Sequence, residues 1–454
     1  IGQPDNIDKA IKVVFEEIEN LKRDGILGDE FEKIKKKALS TYYSTLETVS
    51  TQAGIMAEGE MFAGDADFMK NYVDHIRNAS VDDVNAACSK YLNKSNSTTA
   101  ILMPEAWNGS MGQDTKAEAE KADAPEVFTL DNGLRVIVNR EAKIPMVSIV
   151  VLGEGGVLNE PEGLGGIASI TNRLLLKGTT SRDEAHIVPE IENLGGTMNS
   201  FSSSYTFGLT CSVMPGDMKF ALDLLEDVVK NPVFDEAWLE KIKTKNMDEI
   251  ALMDDDIFDT GVYNLKKGLF GAHPYGRRLI GSRESIAAIT RSDVEAYYKN
   301  CIDPGRMVLS VTGDVNVKDT LGLIKERFGD IRSEASKPFP EWKAPVLEKA
   351  EEVTLRMPKK EALFLIGFTG VDINDPDRYV LDVLFKIMSG SDGRLFNSIR
   401  EAFGISYTQG GTYVAGVGAG YCLFYVATDP AGLARSKSVC LSQIEDLRKD
   451  LVSD

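Results

Sequence analysis

The residue types that most often build metal or nucleophilic centres are sparse here: the 454-residue chain holds 3 His and 5 Cys. His75, His186 and His273 lie far apart and no two share a helical turn, so a histidine-built metal site is not expected within this chain. Each reads as a surface or loop histidine. The cysteines, at 88, 211, 301, 422 and 440, are odd in number and form no CxxC, which indicates neither a disulfide framework nor a thiolate zinc site. One segment gathers polar side chains instead. GLGGIASITNRLLLKGT, residues 163–179, reads as a turn and then a helix, with Leu164, Ile167, Ile170, Leu174 and Leu175 on one apolar face. Between them Ser169, Asn172 and Arg173 are expected to point into a cleft, and Gly178 to cap the helix C-terminus.

A second glycine-rich stretch, VSIVVLGEGGVLNEPEGLGG, follows a strand as a dinucleotide-binding loop does. It lacks the third glycine two residues past Gly156, and acidic residues crowd where phosphates would sit, so a plain turn between strand and helix is the better reading.

The elements that must position these residues are mixed α and β. VFTLDNGLRVIVNRE reads as a hairpin turning at Asn132-Gly133, and MVSIVVLG as a buried strand. TSRDEAHIVPEIENLGG starts on a Ser/Asp cap and ends on glycine, as one helix would. SFSSSYTFGLTCSVMP alternates like a strand pair, whereas MKFALDLLEDVVKNP and EAWLEKIKTKNMDEIALMDDD are amphipathic helices. The fold class expected is α/β (α+β), with mostly antiparallel sheets covered by helices.

Internal similarity divides the chain. FEKIKKKALS from Phe31 resembles LEKIKTKNMD from Leu239, and IRNASVDDVNAACSKYLNKSNSTTAIL resembles IAAITRSDVEAYYKNCIDPGRMVLSV, both at an offset of about 210 residues. The N-terminal QPDNIDKAIKVVFEEIENLKRDG likewise resembles DPAGLARSKSVCLSQIEDLRKDL near the C-terminus, at about twice that offset. Residues 1–103 therefore read as the C-terminal part of one module, 126–332 as a complete module, and 349–454 as the N-terminal part of a third. Residues 104–125, rich in Ala, Glu, Lys and Asp, and the proline-bearing 333–348 read as linkers. The opening IGQPDNIDKA has no initiator Met and no apolar leader, so the chain is expected to be cut from a larger tandem protein.

Bulk properties exclude some partners. With 70 acidic against 51 basic residues the net charge is −19, which argues against a nucleic-acid partner. No run is long and apolar enough to span a bilayer; the best candidate, AGVGAGYCLFYVA, is short and glycine-broken.

Taken in order, several stretches resemble the insulinase/pitrilysin metallopeptidases across essentially the whole chain. They are LDNGLRVIV, GLGG…LLLKGT, IENLGGTMNS, HPYG at His273 to Gly276, the SDV…YY stretch from Ser292 to Tyr298, and SGSDGRLFNSIREAFGISY from Ser389 to Tyr407. The resemblance implies four similar α/β modules, two per half, closing as a clamshell around a peptide. It also implies a zinc motif, HxxEH, on a helix running into a K-G-T ending, with a further Glu about 76 residues downstream. Counted back from Lys177-Gly178-Thr179, the two histidine positions fall on Ser169 and Arg173, the catalytic glutamate position on Asn172, and the distant glutamate position on Glu249. An Arg in a ligand position repels a cation, Asn is no general base, and one Glu cannot hold zinc. Apart from the resemblance, Glu249 reads as a surface acid on an amphipathic helix.

The resemblance thus implies that this chain needs no metal or other cofactor of its own. Zinc is expected in a catalytic module upstream of Ile1. The chain would be the substrate-binding, non-catalytic portion of a zinc endopeptidase acting on peptides or unfolded proteins. Its partners would be a peptide substrate and the catalytic half of the same protein, with self-association through the incomplete modules a further expectation. Within the family an Arg and a Tyr of the second half reach substrate at the zinc of the other half; Arg400 and Tyr407 stand at that spacing behind Gly393-Arg394-Leu395-Phe396. The Tyr would donate to a developing oxyanion and the Arg would orient it or hold the substrate. The alternative is a catalytically dead scaffold or assembly protein of the same family. Composition fits bacterial periplasm and cytoplasm equally, and family habit points to the periplasm.

Overall fold

The structure, a computed structural model, describes residues 19–23, 25, 28–45, 52, 56, 65, 68–91, 125–333, 339–389, 393–401 and 408–449. Of the expected linker 104–125, residues 104–124 lie outside them. Among the described residues, helices α1 (Gly28–Thr45), α2 (Phe68–Asn78) and α3 (Val81–Tyr91) precede the first sheet. Phe31, Tyr43 and Val73 are buried among them.

The first sheet begins with the expected hairpin. β1 (Glu126–Thr129) pairs antiparallel with β2 (Arg135–Arg140), Glu126 opposite Val138 and Thr129 opposite Arg135. Gly133 supplies the left-handed residue of the turn at φ +91°. Asn132 donates from Nδ2 to the carbonyls of Phe328 (2.8 Å) and Ile331 (3.1 Å), which ties the turn to a segment about 200 residues further along the chain. β3 (Val147–Glu154) follows, then helices α4 (Ile167–Leu175) and α5 (Val188–Asn193), and the antiparallel pair β4 (Thr197–Ser202) and β5 (Thr206–Val213). Helices α6 (Met218–Lys230), α7 (Glu236–Asp255), α8 (Ile257–Phe270), α9 (Arg283–Ala288) and α10 (Arg291–Cys301) lead to β6 (Met307–Gly313) and α11 (Val317–Phe328).

The strand order is β1-β2-β6-β3-β5-β4. Strand β6 inserts between two strands that precede it, parallel to β2 and antiparallel to β3. Alternate residues Val136 and Val138, Ile149 and Val151, Leu209 and Cys211, Leu309 and Val311 are all buried, the period-2 pattern of a sheet with one covered face. Leu222, Leu225 and Val228 of α6 and Ile167, Ile170 and Leu174 of α4 close over them.

A second, antiparallel sheet has the order β7-β9-β8, from β7 (Ala362–Gly370), β8 (Thr408–Val414) and β9 (Gly420–Thr428). Helices α12 (Asp377–Met388) and α13 (Leu433–Lys449) pack on it. The rings of Phe385 and Phe424 stack at 4.7 Å in its core. The two sheets are joined: α8 packs on β7, and Trp342 Nε1 donates to the Leu158 carbonyl at 2.7 Å.

Three sequence expectations are corrected. Gly178 does not cap α4, which ends at Leu175. Gly178 instead bridges to Asp183 and accepts from Val233 N at 2.9 Å, because Thr179 is drawn into a turn held by the Asp227 carboxylate. The helix expected over TSRDEAHIVPEIENLGG is a single turn at Glu184–His186 and then the short α5, with Pro189 near its start. His273 stands in a loop, as expected, but is buried rather than at the surface: its ring lies among Phe270, Tyr275 and Trp342, and its Nδ1 accepts from Tyr275 N at 3.1 Å.

Candidate functional site

The site is assembled where α4 crosses α7. Helix α4 starts at Gly166, whose φ of +92° only a glycine holds without strain, and where an added Cβ would strike the Ile280 carbonyl. The carboxylate of Glu160 accepts from the first amides, Gly166 N at 2.9 Å and Ala168 N at 3.2 Å. A negative group is well placed against the exposed N–H dipoles of a helix start. Burial nevertheless dominates and pushes the Glu160 carboxyl up to about 8, against the pull of those two amides and of Arg277.

Helix α7 is capped by Asp235, which accepts from Trp238 N at 3.0 Å. Its buried stripe is Leu239, Ile242, Asn246 and Ile250, so one polar residue, Asn246, sits wholly buried on an apolar face. Glu249 lies beside it. From α4, Arg173 reaches across to both. Its Nη1 donates to Asn246 Oδ1 at 2.8 Å and to Glu249 Oε1 at 3.1 Å, and its Nη2 donates to Glu249 Oε2 at 2.8 Å. This is the fork-to-fork geometry of a guanidinium on a carboxylate, with both side chains about one-third exposed. The guanidinium holds the Glu249 carboxyl below the usual carboxylate range.

Ser169 and Asn172, on the same helix, are buried. Asn172 Oδ1, Thr171 Oγ1 and Asn246 Nδ2 have no hydrogen-bond partner among the described residues, so this contact keeps spare polar capacity under the ion pair. The structure therefore brings together two of the four sequence-marked positions, Arg173 and Glu249, in direct contact, with Ser169 and Asn172 on the same helix. It does not report on the other pair. Arg400 falls in the helical turn Phe396–Glu401, where Ile399 is buried, but its side chain and all of Tyr407 lie outside the described residues.

The residues present do not fit zinc. The cation of this site is the guanidinium itself, bonded to the only retained ligand-type carboxylate. Among the described residues no group of three or more His, Cys, Asp or Glu side chains could hold a metal ion. Neither marked position offers a free base: Asn172 is an amide, and the Glu249 carboxylate is engaged by Arg173. The glycine turn after β3 is equally closed to phosphate. Its amides are spent on the β4–β5 turn, Gly155 N on the Tyr205 carbonyl at 3.0 Å and Leu158 N on that of Ser204 at 2.8 Å.

Sequence reasoning missed two members of this site. Asn246 carried a signal, a polar residue on an otherwise apolar helical stripe. Glu160 carried none, since it stands in an aperiodic loop.

Sheets covered by helices, with Arg173 and Glu249 paired where two helices cross, are the features to set against known proteins. Two family models match the chain, insulinase (peptidase family M16) over residues 135–283 and peptidase M16 inactive domain over residues 288–454. An uncharacterised zinc protease of Mycobacterium leprae is 31% identical over 305 residues, which are 65% of this chain and 68% of that protein. Among solved structures, a protease from Helicobacter pylori superposes with a TM-score of 0.69 at 20% identity, covering 74% of this chain and 82% of that one. A peptidase M16 inactive domain from Pseudomonas fluorescens gives a TM-score of 0.64, also at 20% identity, covering 72% and 80%. The chain belongs to peptidase family M16, the insulinase family.

Proposed function

We propose that this chain is the substrate-binding, non-catalytic portion of a zinc-dependent endopeptidase acting on peptides or unfolded proteins. One observation carries the proposal: Arg173 occupies Glu249 with both terminal guanidinium nitrogens, which supports a division in which a partner half supplies the zinc chemistry. In that division of labour this chain offers a surface for an extended peptide, and Arg400 and Tyr407 reach the reacting carbonyl at the partner's zinc. The catalytic half of the same protein is the proposed partner and the bacterial periplasm the proposed compartment. No helix among the described residues is long and apolar enough to cross a membrane.

The test joins two measurements. Purified and treated with chelator, the chain alone is expected to retain no stoichiometric zinc and to cleave no unfolded peptide. Mixed with the catalytic half of its protein, it is expected to raise kcat/KM on a fluorogenic peptide. A zinc-free mixture that assembles but never cleaves would favour the scaffold reading instead.

A further inference from the structure

His273 is 7% exposed at the joint between the two sheets, away from the α4–α7 crossing. Its side chain caps the turn Pro274–Gly276, Nδ1 accepting from Tyr275 N at 3.1 Å. That bond requires an unprotonated Nδ1, so the neutral ring carries its proton on Nε2. Nε2 is buried and has no hydrogen-bond partner among the described residues. The rings of Phe270, Tyr275 and Trp342 stand around it at 5.4, 5.0 and 5.2 Å between centroids. The pocket accepts an imidazole as a neutral ring with one acceptor.

The same turn holds the second sheet on the first. Tyr275 Oη donates to the Val417 carbonyl, between β8 and β9, at 3.1 Å. Trp342 bonds to Leu158 on one side, and on the other Ala344 N donates to the Gly418 carbonyl at 3.0 Å. Gly418 has φ +73°, and an added Cβ there would strike the Trp342 carbonyl. Leu158, Leu269, Phe270 and Tyr275 form one apolar cluster with Ala419 of the second sheet, Trp342 packing against it. His273 thus supports a turn whose bonds run to both sheets.

Protonation would reverse this chemistry. Nδ1–H would meet Tyr275 N–H, donor against donor, and the cap would be lost. The imidazolium would also be buried without a counter-charge. On its own turn the charged neighbour is Arg277, of like sign. The loop after β3 brings Glu160, whose carboxyl, pushed up to about 8, stays protonated in acid. Helix α8 brings Lys266, which lies over the Tyr421 ring at 5.2 Å. From the second sheet comes Asp372, whose carboxylate is engaged by Gly418 N at 2.7 Å and Asn374 N at 2.8 Å. Glu341 and Lys343, on either side of Trp342, are exposed. Burial, and then Arg277, hold the imidazole below its ordinary 6.5.

We propose that His273 is a proton-operated latch: neutral, it fastens the turn that holds the second sheet on the first, and protonated, it releases that sheet. The folded ring binds its proton less readily than the free one, so the closed joint is favoured above the ordinary imidazole value and weakens as pH falls below it.

Hydrogen exchange on the full chain, corrected for the intrinsic effect of pH, tests this from about pH 8 to about pH 5. Below the ordinary imidazole value, exchange in 339–345 and 415–421 should rise by up to about tenfold per pH unit. Strands β3 and β5 should stay protected throughout. His273→Asn keeps an acceptor for Tyr275 N and cannot titrate, so its joint should show no acid step. Arg277→Gln removes the like charge and should move the step to higher pH. A wild-type joint that stays closed through this range overturns the proposal, as does an acid step that persists in folded His273→Asn. Should His273→Asn fail to fold, an unmoved step in Arg277→Gln overturns it instead.

Discussion

Arg173 explains why a helix stripped of metal ligands still packs where such ligands would stand. A zinc ion between α4 and α7 would bond to both helices; here a guanidinium does, through two oxygens of Glu249 and one of Asn246. The ion pair is partly exposed, and pairs of that kind contribute only about 0–1 kcal/mol. The Asn246 oxygen is different, since its residue has no exposure and an unpaired buried acceptor costs about 1–3 kcal/mol. Arg173→Ala should therefore destabilise the chain by about 1–3 kcal/mol in urea denaturation. Arg173→Lys should fall between, because an ammonium cannot span both partners as a fork does. The same geometry predicts a gain of function for metal. With Ser169→His, Asn172→Glu and Arg173→His together, two imidazoles one helical turn apart would face a freed Glu249, enough for a three-ligand zinc site. Metal analysis should find about one zinc per chain in the triple variant, none in Arg173→Ala alone. A triple variant that takes up no zinc would show that Ser169 does not face Glu249.

At the scale of elements, α4 is held at its start by a buried acid. Burial raises the Glu160 carboxyl from 4.5 to about 8, so the folded chain keeps a proton there that the unfolded chain releases. Stability from this group is complete below about 4.5 and is lost as pH rises through about 8. Glu160→Gln keeps an acceptor for the amides of Gly166 and Ala168 and removes the charge. Denaturation across that range should show a falling stability in the wild type, by at most ~1.4 kcal/mol per pH unit, and a flatter profile in the variant. Equal slopes would mean that Glu160 titrates normally. The strand pattern of β3, the hairpin at Asn132-Gly133 and the stripes of α6 and α7 were all legible in the sequence, since each is a local periodicity or a turn dipeptide. Glu160 was not, because its partners are backbone amides that no side-chain pattern marks. The break between Glu184–His186 and α5 was also hidden; a caps-and-glycine reading has no term for the Asp227 carboxylate, which binds Thr179 and Ser181 from α6.

For the whole molecule, the family and its mixed α/β fold could be read from ordered motifs, whereas the site's contacts could not. Opposite charges at Arg173 and Glu249 were visible, yet only the crossing of α4 and α7 turns 76 residues of separation into a hydrogen bond. The proposed role of Arg400 and Tyr407, opposite a zinc in the other half, has a sharp kinetic consequence in the assembled enzyme. Tyr407→Phe deletes one hydroxyl donor while the ring can still pack, so folding should survive. If the hydroxyl meets the developing oxyanion, its loss should lower kcat by about 10²–10³. Arg400→Ala should cost a similar factor, part of it in KM, because a guanidinium that orients the oxyanion also holds the peptide. Both act on one group, so the double variant should fall well short of the product of the two single effects. Steady-state kinetics on a fluorogenic peptide, with thermal unfolding alongside, decides the matter. Two folded variants with undiminished kcat/KM would make these residues structural, and the chain a scaffold rather than half of an active site.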